Sequence, residues 1–134
     1  MNDEKILSIE DLSVEYRTSD GVVKAVNNLS LSLNRGEALG LVGETGAGKT
    51  TTALAVLNLI ADPPGKIVNG RVIFEGKDLV KASKRELRKY RGEKIAMIFQ
   101  DPMTALNPVK TVGNQIMEMI TLHRHVSKAE ATVM

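Results

Sequence analysis

The sequence predicts a mixed α/β fold, in which an antiparallel β portion precedes and flanks a core built on a strand–loop–helix unit. Three observations predict it. Apolar residues alternate with polar ones over much of the first third. A short unbroken apolar run, Ala38-Leu39-Gly40-Leu41-Val42, leads straight into the glycine-rich segment 43–50. Apolar residues at helical spacing follow that segment.

Taken in order, Leu7 and Ile9, then Leu12 and Val14, mark a first strand, and Ser19-Asp20-Gly21 marks a turn. Leu29, Leu31 and Leu33 alternate with Ser30 and Ser32 in a second strand, and Asn34-Arg35-Gly36 reverses the chain. Residues 38–42 have no polar alternation, the pattern of a strand covered on both faces in the middle of an α/β sheet. A helix over 51–60 carries Leu54 and Leu57, flanked by Ala53, Val56 and Ile60, and is expected to stop at Asp62-Pro63-Pro64-Gly65. Residues 70–74 read as a strand ended by Glu75-Gly76-Lys77.

Ser83-Lys84-Arg85-Glu86 has the form of a capping box and opens a helix to about Arg91. Residues 95–99 read as a second two-sided strand. Thr111 is expected to cap a helix with Val112, Ile116, Met119 and Ile120 on one side. A second capping box, Ser127-Lys128-Ala129-Glu130, begins a helix of which only about one turn follows, too short to be stable alone. Residues 1–134 are therefore expected to be an incomplete single domain, with a partly covered sheet of marginal stability in isolation.

With 43% apolar and 25% charged residues the chain has the balance of a globular protein, and 134 residues suffice for one domain. Aromatics are only 3%, so the core must rest on Leu, Ile, Val, Ala and Met. The net charge of +2 is too small to imply a nucleic-acid partner. The absence of cysteine excludes a disulfide framework and cysteine-ligated zinc, and fits a reducing compartment. No segment approaches the roughly 20 apolar residues needed to cross a bilayer. Met1-Asn2-Asp3-Glu4-Lys5 lacks the basic start and apolar run of a secretion signal. A cytoplasmic location is expected, with any membrane contact made through another protein.

The segment Gly43-Glu44-Thr45-Gly46-Ala47-Gly48-Lys49-Thr50 satisfies G-x-x-x-x-G-K-[ST], and its context, an apolar run before and a helix after, is the required one. Glycines let the backbone approach a ligand, and the loop's N–H groups form an anion-binding nest backed by a helix amino terminus. Lys49 adds a full positive charge for the β- and γ-phosphates, and the Thr50 hydroxyl is a ligand for Mg²⁺. The expected ligand is a nucleoside triphosphate, ATP foremost, held by residues 43–50 together with Thr51 at the helix start.

Other residues admit two readings. Gln100 follows a two-sided strand, the sheet edge where ligands bind, yet a glutamine there is more often a surface residue. Asp101 sits where an acid could hold Mg²⁺, but Gln100 spoils the spacing and Pro102 favours a turn aspartate. Tyr16 is read as packing or as stacking on a base. His123 and His125 are two apart, do not share a helix face, and are read as surface residues. Lys81, Lys84, Arg85 and Arg88 share one helical face with Leu87 turned away; this is a solvated face or one for an acidic partner or lipid headgroups.

Tyr16, the loop 43–50 and the run Met97-Ile98-Phe99-Gln100-Asp101-Pro102-Met103-Thr104-Ala105-Leu106-Asn107-Pro108 together resemble the ATP-binding subunits of ABC transporters. More narrowly they are similar to the branch serving dipeptide, oligopeptide and nickel importers, as are Pro63-Pro64-Gly65, residues 70–79 and Thr111-Val112-Gly113 to Gln115. The resemblance implies a P-loop NTPase core with an antiparallel β subdomain, truncated before the signature and Walker B elements. It implies that Tyr16 stacks on adenine, and that Gln100 is the glutamine-loop residue sensing Mg²⁺ and the γ-phosphate beside the membrane subunits.

It further implies Lys49 and Gln100 as residues of the hydrolytic machinery and Thr50 and Gln100 as Mg²⁺ ligands. Two ATP-binding subunits, alike or different, would drive two transmembrane permease subunits and, indirectly, a solute-binding protein, at the cytoplasmic face of a prokaryotic membrane. The family's Leu-Ser-Gly-Gly signature loop, its strand ending in Asp with a following catalytic Glu, and its switch histidine are not found, and His123 and His125 fall too early for the switch. ATP binding is expected, and efficient turnover by this chain alone is not. The competing expectations are a regulatory or interaction protein that binds nucleotide without hydrolysing it, and a small P-loop kinase, for which no acceptor site is found.

Overall fold

The computed structural model describes residues 4–101, 105–124 and 126–133. The chain divides into two compact units, the first running to Leu87 and the second starting at Arg88.

The first unit is built on an antiparallel sheet of order β2-β1-β3-β4, with β1 (Lys5–Thr18), β2 (Gly21–Asn34), β3 (Gly65–Phe74) and β4 (Lys77–Asp78). The central strand β1 changes phase partway: Leu7 and Ile9 face inward on odd positions, Leu12 and Val14 on even ones. A bulge causes the change. Between the pairs Glu10↔Arg71 and Ser13↔Asn69, two residues of β1 oppose only Gly70 of β3, and Asp11 takes φ 49. Any Cβ on Gly70, itself at φ 96, would lie 2.5 Å from Leu12 Cα, so only glycine fits there. Two serine hydroxyls satisfy amides that the irregular ladder leaves over. Asp11 N–H donates to Ser30 Oγ at 2.9 Å, and Asn28 N–H donates to Ser13 Oγ at 3.0 Å.

The core lies on one side of this sheet. Ile9, Leu12, Val14, Val26, Val72 and Phe74 are buried, joined by Leu79 and Leu87 and by Ala55 and Leu57 near the end of α1 (Lys49–Val56). Each fully buried aliphatic side chain contributes about 1.5–3 kcal/mol. The β3–β4 hairpin turns through Glu75 and Gly76 at φ 45 and 79, the signs of a type I′ turn.

Helix α1 is shorter than the periodicity predicts. It ends not at the Asp62-Pro63 segment but at Asn58, which takes φ 50. Asn58 N–H donates to Ala55 O (2.9 Å) and Leu59 N–H to Leu54 O (2.8 Å), the paired bonds of a Schellman motif. The predicted strand 70–74 is found, but β3 starts five residues earlier, at Gly65.

The two apolar runs expected to be two-sided strands, 38–42 and 95–99, are not strands. Apart from one bridge, Arg91↔Ile95, neither has a ladder partner among the described residues. Val42 and Ile98 are each 95% exposed, and Leu39, Leu41 and Phe99 are exposed as well. An apolar run encodes an extended segment that wants cover, whereas a strand also needs neighbours to pair its N–H and C=O groups.

Helix α2 (Lys84–Tyr90) opens with the predicted capping box. Ser83 N–H donates to Glu86 Oε2 at 2.9 Å, and Glu86 N–H returns to Ser83 Oγ at 3.3 Å. The Lys77 ammonium also donates to Glu86, and this bond first, then Ser83, holds the Glu86 carboxyl at about 2, below its ordinary 4.5. Lys81 lies before the helix, so the basic face holds Lys84, Arg85 and Arg88 without it, while Leu87 is buried as expected.

In the second unit, α3 (Val112–Arg124) is capped by Thr111, whose hydroxyl accepts from Asn114 N–H at 3.3 Å. Its predicted apolar side stands in solvent at Val112, Ile116 and Met119, while Ile120 is half-buried. Gln115 ties down the preceding loop. Its Oε1 accepts from Asn107 N–H (2.9 Å) and its Nε2 donates to Lys110 O (3.1 Å) and Asn107 O (3.2 Å). The second capping box also forms, opening α4 (Lys128–Val133) through Ser127 and Glu130.

Candidate phosphate-binding site

The glycine-rich segment forms a turn that delivers the chain into α1. Ala47 N–H donates to Glu44 O at 3.1 Å, and Gly46 and Gly48 take φ 87 and 82. Gly48 is the residue before the helix, and it lies against β2: a Cβ there would be 2.2 Å from Ala25 O and 3.3 Å from Val26 Cγ2. Left-handed backbone and close approach coincide at this residue, so no side chain fits it.

The first intrahelical bond is Thr52 N–H to Gly48 O at 2.8 Å, reinforced by the Thr52 hydroxyl on the same carbonyl at 2.9 Å. The amides of Lys49, Thr50 and Thr51 precede that bond, and no side chain caps the helix. Its first turn therefore offers N–H groups and the positive end of the helix dipole to an anion. No acidic side chain stands in that turn to compete.

Lys49 folds back over the loop. Its ammonium donates to the carbonyls of Gly43 and Glu44, the latter at 2.7 Å. An ammonium carries three donors, so one remains for a ligand oxygen. Thr50 is exposed beside it.

Tyr16 lies within β1, paired with Val23 of β2 and Gly65 of β3, and its half-buried ring rests on Gly65. Val23 is two residues from Ala25, the residue abutting Gly48, so about 7 Å of strand separates the tyrosine's partner from the loop's anchor. The sheet thus gathers Tyr16 and the loop on neighbouring positions of β2. Sequence reasoning overlooked Val23 and Ala25, and read Gly65 only as part of a helix stop and of the family resemblance. Only strand pairing reveals them, although a glycine opening a strand was a legible signal of close approach.

Gln100 and Asp101 are exposed and belong to the second unit. His123 is not a plain surface residue: its half-buried ring covers Gly92, where a Cβ would lie 2.8 Å from Nε2. Pro102, Met103, Thr104 and His125 lie outside the described residues. A cavity of about 480 Å³ lies over the β1–β3 bulge, lined by Asp11, Asn69, Arg71 and Lys81 among others, and none of residues 43–50 lines it. No helix among the described residues is long and apolar enough to cross a membrane.

The chain is similar to known proteins. A family model described as ABC transporter matches residues 26–134. The oligopeptide transport ATP-binding protein OppD of Escherichia coli (strain K12) is 50% identical over 126 residues, 94% of this chain and 37% of the relative. OppD of Bacillus subtilis (strain 168) is 45% identical over 127 residues, 95% of this chain and 36% of the relative. The dipeptide transport protein DppD of that organism is 44% identical over 128 residues, 96% of this chain and 38% of the relative. The chain therefore spans little more than a third of the length of these relatives.

Among solved structures, a dimeric ATP-binding cassette in a post-hydrolysis state with ADP and Pi shares the fold, with TM-score 0.78 and 23% identity over 95% of this chain and 53% of that one. A nucleotide-free cassette from an ABC transporter aligns with TM-score 0.59 and 26% identity over 96% of this chain and 45% of that one. With a family match over most of its length and a phosphate loop of the required form set against the antiparallel sheet, this chain belongs to the ABC transporter family.

Proposed function

We propose that this chain is the amino-terminal, nucleotide-holding part of the ATP-binding subunit of an ABC importer. In the whole subunit, ATP binding and hydrolysis would be coupled to uptake of peptides or a related solute. The observation that carries the reading is the loop itself. Gly48 abuts β2, Lys49 bridges the first carbonyls of the loop, and three amides of α1 are left for an anion. The names of the relatives, oligopeptide and dipeptide transport ATP-binding proteins, support the solute class.

In this reading residues 43–51 bind the phosphates of ATP. Lys49 spends its remaining N–H on the β- and γ-phosphate oxygens, while its bonds to Gly43 and Glu44 keep the loop closed around them. Preorganised donors of this kind lower the cost of gathering charge, because no group must reorient when the phosphate arrives. The Thr50 hydroxyl and Gln100 would hold Mg²⁺. The ion would supply positive charge that offsets the charge of the phosphates. Tyr16 offers its exposed ring surface to the adenine.

Gln100 and the polar segment after it would meet two permease subunits at the cytoplasmic face of the membrane. A second ATP-binding subunit would complete the motor, with a solute-binding protein acting through the permeases. The chain alone binds ATP without efficient turnover, because its residues include no Leu-Ser-Gly-Gly loop and no apolar strand run ending in Asp with a following Glu to orient water. Lys49→Ala is expected to abolish saturable binding of a fluorescent ATP analogue; unchanged affinity would refute the assignment. Steady phosphate release by the chain alone would refute the separation of binding from turnover.

A further inference from the structure

Tyr16 and Gly65 are direct partners across β1 and β3. A Cβ on Gly65 would lie 2.6 Å from Tyr16 Cε1, 3.0 Å from Tyr16 Cδ1 and 2.6 Å from Ile60 Cγ2. All three distances fall well inside the ~3.5–4.0 Å of ordinary carbon contact. Gly65 does not take a left-handed φ, so the backbone places no demand for glycine there. The demand comes from space.

Nor can the backbone retreat. Gly65 N–H donates to Ala61 O at 2.8 Å, and the preceding carbonyl, Pro64 O, accepts from Arg17 N–H at 2.9 Å, next to Tyr16 in β1. Gly65 is itself buried, whereas the tyrosine above it is half-exposed. A side chain at 65 would therefore be accommodated by lifting the ring or displacing Ile60.

We propose that Gly65 is a positioning residue for nucleotide recognition: its missing side chain seats the Tyr16 ring at the height and tilt at which a purine stacks on it. The inference rests on the reading of Tyr16 as the adenine platform and is independent of the phosphate loop. Ile60 forms the second wall of the same seat, so the segment between α1 and β3 shapes the base end of the site while α1 itself serves the phosphate end.

The test compares ATP with inorganic tripolyphosphate, which has the phosphates and no base, as competitors of a fluorescent ATP analogue on the full chain. Tyr16→Ala is expected to weaken ATP about tenfold, the scale of one base–aromatic stack, and to leave tripolyphosphate unchanged. Gly65→Ala is expected to shift ATP the same way, again sparing tripolyphosphate, and the double variant to be no weaker than Tyr16→Ala. Tyr16→Phe should retain ATP affinity.

If Tyr16→Ala leaves the ratio of the two affinities unchanged, the platform reading fails and the role of Gly65 falls with it. If Tyr16→Ala shifts the ratio and Gly65→Ala does not, the positioning role alone is overturned. Equal loss of both ligands in Gly65→Ala also overturns it, since Gly65 would then be serving the fold.

Discussion

Replacing Gly48 by alanine should damage the phosphate loop far more than the same change at its other glycines, and the structure supplies the ranking. At Gly48 two penalties combine. A non-glycine residue at φ 82 costs about 1–2 kcal/mol through its own Cβ. That Cβ would also lie 2.2 Å from Ala25 O, an atom held in β2, so the loop must shift by about 1 Å to regain contact distance. With this displacement the total reaches about 3 kcal/mol or more, which corresponds to a loss of at least ~100-fold in affinity for the arrangement that binds phosphate.

Gly46 has φ 87 but nothing within 4 Å of a Cβ, so Gly46→Ala costs only the backbone penalty, roughly tenfold. Gly43→Ala needs no left-handed backbone and meets side chains alone, the Ala47 Cβ tightly at 3.0 Å and Lys49 Cδ at an ordinary 3.9 Å, and should be the mildest. The assay is equilibrium titration of a fluorescent ATP analogue against each variant, with thermal melting alongside to confirm that the sheet persists. Equal losses for Gly46→Ala and Gly48→Ala, or wild-type affinity in Gly48→Ala, would refute the argument that the contact with β2 sets the loop.

Two further outcomes follow from the same fold. Asn58→Ala should destabilise the first unit by about 2 kcal/mol, the sum of a left-handed alanine and the lost Asn58 Nδ2 bond to Leu79 O at 3.2 Å. Asn58→Gly should lose only the bond, about 1 kcal/mol, and urea midpoints of the two variants decide the split. Because Glu86 titrates at about 2 when folded against 4.5 ordinarily, its capping contribution is fully present above pH 4.5 and is lost as the pH falls toward 2. Amide exchange at Leu87, whose N–H donates to Ser83 O at 2.9 Å, should quicken relative to its intrinsic rate over that window in wild type and not in Glu86→Gln.

How much was legible beforehand depends on the reach of each interaction. Both capping boxes were readable because Ser83 meets Glu86, and Ser127 meets Glu130, three residues along one helical turn. The end of α1 was misplaced because the proline signal at 63 and 64 is loud, whereas a single asparagine in a left-handed conformation is quiet. Residues 38–42 and 95–99 carry the composition of covered strands, yet pairing is a property of neighbours and not of the run itself.

By itself the sequence determined the family, the antiparallel β portion, and the phosphate loop with its lysine and threonine. Those features rest on contacts within a few residues, where residue type and spacing dictate geometry. Only the tertiary structure decided why Gly48 must be glycine, why β1 changes phase at Asp11, and what seats Tyr16. In each case the partner is remote in the chain: Ala25, Gly70 and Gly65, respectively. A sheet brings such residues within contact distance, and no local pattern records which ones will meet.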